Sequence, residues 1–428
     1  MNILLFLIII LIFIVAIGIL NEKFFHIQSD IALIMFSLII ALGLLTAAKI
    51  LEAPRLDDFV ANLGDFGFEE YLMDGVLCFM LFAGASKVNM KKFKQNLRPI
   101  SLLALLTTVV SSFFYGTLFY MIALVFNISM DFWMCVLLGC VVSPTDPIAA
   151  TGILNKIGLS KNVCSVIENE SLFNDGTGVT LFIFVSSIIT KSGESNILLL
   201  VVKEILGAVV VALAVSFVLF QLIKITRDPI RYILISLLDV SLVYILCEGL
   251  GFSGVIASVV CGMYFSYAFG TIEKKVQVID PENWYRDFWE ILESLLNAVL
   301  FVMIGLLVVN IKLCSFAAVV IPVAIIAIVF SRAFGVFTST LLTGKKIPGN
   351  YNMAEYVILM TWSALKGGLS MALAMSTKEF LSPEVYNIFI NVTYVTIFFT
   401  VLVQGLTVKR VYFLLEKHKA KRMSEKRG

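Results

Sequence analysis

Long apolar runs, each about the length of one bilayer crossing, alternate with short polar connectors along almost the whole chain. With roughly 17–25 apolar residues taken as one crossing, the pattern predicts thirteen membrane helices. They lie near residues 2–20, 31–50, 70–86, 99–126, 131–155, 162–190, 196–223, 231–249, 252–270, 288–311, 315–342, 354–377 and 384–408. The first run has no basic residues before it and is longer than the apolar core of a secretion signal, so it reads as a retained helix. The longest polar segments, 51–70, 271–287 and the tail from Lys409, are too short to fold alone. An all-α polytopic membrane protein is therefore expected, with one transmembrane domain over 1–408 and a short basic tail over 409–428.

Composition agrees with the pattern. Of 428 residues, 60% are hydrophobic and 14% charged, against about 25% charged in a soluble domain. The seven cysteines are scattered, with no CxxC or Cys/His cluster, which argues against a disulfide framework or a zinc site. A net charge of +2 implies no anionic partner, and nucleic acid is not expected.

The position of the basic residues says more than their sum. Cytoplasmic loops collect Lys and Arg. With the tail inside, thirteen crossings leave only Lys49, Arg55, Lys191, Lys312 and Lys378 in outside loops, and nearly all the other basic residues fall inside. One missed or invented helix would scramble that alternation. The N-terminus is thus expected outside and the C-terminus in the cytoplasm.

An odd count fits two inverted six-helix units plus a linking helix, a plan common among secondary transporters. Such transporters carry interrupted helices at matching places. Span five is broken by Pro144 and Pro147; span twelve, seven later, softens at Ser363-Ala364-Leu365-Lys366-Gly367-Gly368. Paired interruptions point to a site at the midplane.

Two acidic motifs sit at this depth: Ser143-Pro144-Thr145-Asp146-Pro147 and Glu168-Asn169-Glu170-Ser171-Leu172-Phe173-Asn174-Asp175-Gly176. A carboxylate in hydrocarbon is costly unless paired, hydrated, ion-bound or protonated. In span six, helical spacing puts Ser171 and Asp175 on one face, with Asn174 beside them. Carboxylate, amide and hydroxyl oxygens are hard ligands that suit an alkali cation. Asp175 is the candidate group for either Na⁺ or H⁺. Asp146 borders the break beside Thr145; a helix-capping role for it stays open, since capping and ion handling can coexist.

Glu170 and Arg332 share a difficulty in lipid that a two-pronged ion pair would solve, so a structural pair is expected. Lys366, at the second interruption, can compensate exposed helix ends or an acidic cavity; a snorkelling lysine is the other reading. Asp239, Glu290, Glu293, Lys203 and Glu204 are expected mostly to face water, a funnel or one another. The two histidines, His26 and His418, lie outside the spans, so neither is expected to carry the transported proton.

At these residues the sequence resembles the electroneutral sodium/proton antiporters of the monovalent cation:proton antiporter superfamily, the branch of the NhaP type and the animal sodium/proton exchangers. Ser-Pro-Thr-Asp-Pro at 143–147 and Glu-Ser-Leu-Phe-Asn-Asp-Gly at 170–176 carry the resemblance. Gly-Phe-Ser-Gly-Val-Ile-Ala at 251–257, Ser-Arg-Ala-Phe-Gly-Val at 331–336 and Leu-Lys-Gly-Gly-Leu-Ser at 365–370 follow in the family's order. The resemblance implies a homodimer in the plasma or inner membrane, whose core, with two crossed broken helices, moves against a dimerisation subdomain in an elevator-like cycle, the two being interleaved within 1–408. It implies Na⁺ or Li⁺ held by Asp175, Asp146, Thr145 and Ser171 with Asn174 alongside, a core stabilised by Glu170 and Arg332, and no cofactor. Asn174, where electrogenic relatives have a second Asp, implies one-for-one exchange. Lys366 stands where the family usually has Arg.

K⁺/H⁺ exchange would use the same motifs. An intramembrane aspartyl protease also sets two Asp residues in neighbouring helices, but its Gly-x-Gly-Asp does not occur here. A cation channel would differ in needing no opposing proton gradient.

Overall fold

A segment surrounded by lipid must satisfy its backbone internally, and a helix does so within one run of chain. Helix accordingly dominates the computed structural model. It describes residues 3–51, 76–88, 90–146, 152, 154, 158–190, 197–226, 228–270, 281–308, 316–344 and 347–425. Pro147, most of the remainder of span five, Cys314 and most of the polar segments at 51–70 and 271–287 lie outside the described residues.

The principal helices are α1 (Ile3–Leu20), α2 (Ser29–Leu51), α3 (Leu77–Ser86), α4 (Leu97–Val125), α5 (Phe132–Val142), α6 (Lys161–Thr190) and α7 (Ile197–Ile225). They continue with α8 (Pro229–Gly249), α9 (Gly254–Phe269), α10 (Pro281–Leu307), α11 (Ala317–Thr343), α12 (Met353–Trp362), α13 (Gly368–Ser376) and α14 (Pro383–Glu425). Among the described residues nine are long and apolar enough to cross a membrane, and α3, α5 and α9 are shorter apolar helices. Helix occurs in every one of the thirteen predicted stretches, in two pieces for span twelve. The chain is a multi-pass, all-α membrane protein.

Helix starts follow local chemistry. Asp131, Asp228 and Ser253 accept hydrogen bonds from the backbone amides of Met134 (2.7 Å), Ile230 (3.0 Å) and Ile256 (3.3 Å). Pro229 and Pro383 occupy the first turn, where no amide donor is needed. Two boundaries differ from the sequence expectation. α10 begins at Pro281, because its first turns are amphipathic and bury Tyr285 and Trp289 while Trp284, Arg286 and Asp287 stay exposed. α14 runs well past 408, since Leu406–Glu425 is rich in strong helix formers and contains neither Gly nor Pro.

The chain divides into two compact units. One comprises residues 1–68, 96–185 and 298–428. Within it α4 packs against α5 and α11, and α14 packs against α11 and α13. Hydroxyl groups tie these helices together: Thr107 to Ser339 (2.7 Å), Ser111 to the Ser331 carbonyl (3.0 Å) and Ser112 to Ser143 (2.8 Å). Such bonds suit an apolar solvent in which helices gain little from burying hydrocarbon against hydrocarbon.

The other unit comprises residues 69–95 and 186–297. Its core is aromatic: Phe82, Phe220, Phe265, Phe269, Tyr285 and Trp289 form one buried cluster, with Phe82 and Trp289 ring centres 4.5 Å apart. Trp289 donates its indole N–H to Ser236 (3.0 Å). Asp239 does not face water; it is fully buried and accepts a hydrogen bond from Ser216 (2.7 Å), because its side of α8 packs toward α7. Glu293 pairs with Lys87.

Phe82 is fully buried against Phe265 and Trp289, so F82A should lower stability by about 3–5 kcal/mol. Thermal unfolding of the purified protein in detergent checks this, with F82L expected to lose less than half as much.

Candidate functional site

The site begins with two helices that stop short. α5 ends at Val142 and the chain continues without helix through Ser143, Pro144 and Thr145. Proline brings no amide donor, so the last carbonyls of α5 are left without helical partners. The second interruption lies between Trp362, the end of α12, and Gly368, the start of α13.

The two breaks meet. The amide of Asp146 donates to the Leu365 carbonyl at 2.8 Å, forming a single antiparallel bridge between them. The Lys366 ammonium donates to the carbonyls of Ser143 (2.7 Å) and Pro144 (3.0 Å). A cation at the C-terminal end of α5 also complements the helix dipole. The Lys366 amide is satisfied by the Thr400 hydroxyl at 3.1 Å. Thr400 stands in a π-helical turn, Phe399–Gly405, within α14.

Close approach fixes two glycines here. A Cβ on Gly178 would lie 2.3 Å from Pro144 Cγ, and one on Gly367 would lie 2.8 Å from an oxygen of Asp146. The first lets α6 pass beside the broken segment; the second lets Asp146 fold over the second break.

From Thr145 a polar chain runs into α6 and α11. The Thr145 hydroxyl meets that of Ser171 at 2.9 Å, and its amide donates to Asn174 Oδ1 at 3.1 Å. Asn174 Nδ2 donates to both Thr145 Oγ1 (2.6 Å) and Glu170 Oε1 (2.9 Å). Glu170 is held by Arg332 through two parallel bonds of 2.9 Å, the fork geometry that favours Arg over Lys. Both N–H groups of Asn174 are thus committed to protein partners.

All eight residues singled out in the sequence, Thr145, Asp146, Glu170, Ser171, Asn174, Asp175, Arg332 and Lys366, belong to one constellation within one unit. Thr145, Glu170, Ser171, Asn174, Arg332 and Lys366 are buried. Asp146 and Asp175 are only half-buried. Asp175 lies within electrostatic reach of Asp146, Glu170 and Lys366. The two carboxylates are thus the least buried members of the constellation, and the Thr145 and Ser171 hydroxyls lie in the buried, hydrogen-bonded scaffold behind them. Among the described residues no three His, Cys, Asp or Glu side chains group as a metal site. Thr400, which completes the crossing, carries no mark in the sequence beyond its place in an apolar span.

Comparison with known proteins bears on this geometry. Residues 61–414 match the family model described as "Sodium/hydrogen exchanger, transmembrane". The chain is 33% identical to the Na⁺/H⁺ antiporter NhaP of Pseudomonas aeruginosa over 81% of its own length and 82% of that protein's. This chain belongs to the sodium/hydrogen exchanger family. It is also 27% identical to the low-affinity Na⁺/H⁺ antiporter NhaS1 of Synechocystis, of whose length it spans 64%. In fold it is similar to the sodium/proton antiporter MjNhaP1 of Methanocaldococcus jannaschii, with a TM-score of 0.69 at 20% identity, covering 90% of this chain and 98% of that one. As a member of the sodium/hydrogen exchanger family the chain is a transporter, not an enzyme.

Removing Arg332 from this family member would strand a buried carboxylate. R332A should cost about 3–5 kcal/mol, read as a lowered melting temperature. Replacing both charges in E170Q/R332M should recover more than half of the loss.

Proposed function

We propose that this protein exchanges one Na⁺ or Li⁺ for one H⁺ across the cell membrane, with Asp175 as the carboxylate that binds either. The observation that carries the reading is the accessibility pattern: Asp146 and Asp175 keep open surface while every other member of the constellation is buried. Relatives named as Na⁺/H⁺ antiporters support it.

In this reading Asp175, Asp146, Thr145 and Ser171 supply hard oxygen ligands for the cation. A proton and an alkali cation both bind carboxylate oxygen, so H⁺ and the cation compete for one group. Asn174 braces Thr145 against Glu170, with both of its N–H donors already committed. Lys366 is engaged by the freed carbonyls of Ser143 and Pro144, and Asn174 stands where electrogenic relatives have a second Asp, so one carboxylate takes up and releases the exchanged proton. That accounting gives electroneutral exchange. Thirteen crossings with the N-terminus outside, a cytoplasmic C-terminus, a homodimer and an elevator-like motion of the core against a dimerisation subdomain, both within 1–408, complete the proposal. The protein needs no cofactor beyond the ions it carries.

Reconstituted into vesicles with a pH-quench dye, the protein should move protons in response to Na⁺ or Li⁺, and D175N or D175A should fall to the level of empty vesicles. Retained exchange in D175N sinks the assignment, and a K⁺ response exceeding Na⁺ over pH 6 to 9 moves it to K⁺/H⁺ exchange. Competition for one site predicts that the apparent KM for Na⁺ rises as pH falls, by up to about tenfold per pH unit. An imposed membrane potential should leave net exchange unaltered; potential-driven flux would argue for unequal stoichiometry.

A further inference from the structure

The last helix makes a set of contacts that ion binding does not require. Near its midpoint, Thr407 of α14 accepts a hydrogen bond from the Trp362 indole at 2.9 Å, at the end of α12 that enters the break. Further on, α14 reaches the other end of α12. Tyr351 donates its hydroxyl to Glu416 at 2.5 Å, and Lys419 pairs with Glu416 at 3.0 Å while lying 4.3 Å from the centre of the Tyr351 ring. Arg422 donates to the Asn350 carbonyl at 2.8 Å and pairs with Glu355 at 3.0 Å.

Glu355 already has a local task. It forms a capping box with Asn352: the Asn352 amide donates to Glu355 Oε2 at 2.8 Å, and the Glu355 amide to Asn352 Oδ1 at 2.7 Å. That box caps α12 without help from Arg422. What Arg422 adds is a fixed relation between the cap and α14. α12 has ten residues, roughly 15 Å of rigid helix, and it delivers the Leu365 carbonyl and Lys366 to the crossing. A shift at the cap end is passed to the break.

We propose that Arg422, with Glu355 and Tyr351, is a positioning element for the transport site: the tail helix holds the cap end of α12 so that the Leu365–Lys366 break meets Asp146. It rests on the exchange reading above for its effect on transport, and on the contacts alone for its effect on the break.

The test uses the full chain as R422A, R422K, E355Q and Y351F. E355Q leaves an oxygen to accept from the Asn352 amide, while it removes the charge and turns the other oxygen into an NH2 donor. Loss of folded transporter lowers the maximal rate and leaves the Na⁺ KM alone, whereas a displaced crossing alters KM. R422A and E355Q should raise the apparent Na⁺ KM by about threefold or more, Y351F by less, and R422K should restore part of the loss because Lys keeps the charge without the fork. Wild-type KM in both E355Q and Y351F overturns the proposal, whether or not R422A folds. Amide hydrogen exchange over 363–367 reads the same coupling without transport, and E355Q should speed it by about threefold or more. If wild-type vesicles exchange no Na⁺, the antiport reading fails while unaltered amide protection at 363–367 still decides against the positioning role.

Discussion

The structure around the site depends on one constraint: backbone groups freed by breaking a helix must find partners inside the protein. Here each break supplies what the other lacks. Leu365 offers a carbonyl to the Asp146 amide, and Lys366 offers an ammonium to two carbonyls at the end of α5. The interruption of α5 would be untenable alone, and so would the buried lysine. Together they make an irregular stretch of chain in which a carboxylate can turn away from its own helix.

The rest of the constellation holds that crossing at a fixed distance from α6. Thr145 is gripped by Ser171 and Asn174, and Asn174 is gripped by Glu170, whose charge is neutralised by Arg332 on α11. The series is hydrogen-bonded at every step and buried along its length. It holds the Glu170 carboxylate in an ion pair and sets a buried frame beside Asp146 and Asp175. A half-satisfied network in the same place would leave Asp146 and Asp175 without that frame.

Much of this was legible in the sequence because the relevant costs are local. Apolar run length sets the helices, Pro144 marks a break, and Glu170 and Arg332 are conspicuous as charges with no place in lipid. What stayed hidden depends on contacts between distant residues. Thr400 and Lys366 lie 34 positions apart, and Lys366 and Ser143 lie 223 apart. Nothing in the periodicity of span thirteen marks one threonine as the partner of a backbone amide. Asn174 read as an oxygen ligand from spacing alone; its two amide donors matter only once Thr145 and Glu170 are seen on either side. Asp239 reads as a solvent-facing acid until Ser216 is placed against it. Hydropathy also ended span thirteen at 408, although Lys- and Glu-rich sequence continues a helix as well as apolar sequence does.

The π turn at Phe399–Gly405 sets a rule about length as well as identity. A wide turn holds one residue more than the regular helix would, and it lies between the part of α14 that packs on α13 and the part that reaches Asn350 and Glu355. Deleting a single residue there would close the wide turn into a regular one and leave the later side chains on nearly the same faces. Deleting one from the regular helix that follows would instead rotate every side chain beyond it by about 100°. Glu416, Lys419 and Arg422 would then face away from their partners with no change in their own identity. In most surface loops an insertion or deletion is absorbed; along α14 the wide turn can absorb one, and in the regular helix after it the number of amino acids is itself part of the structure.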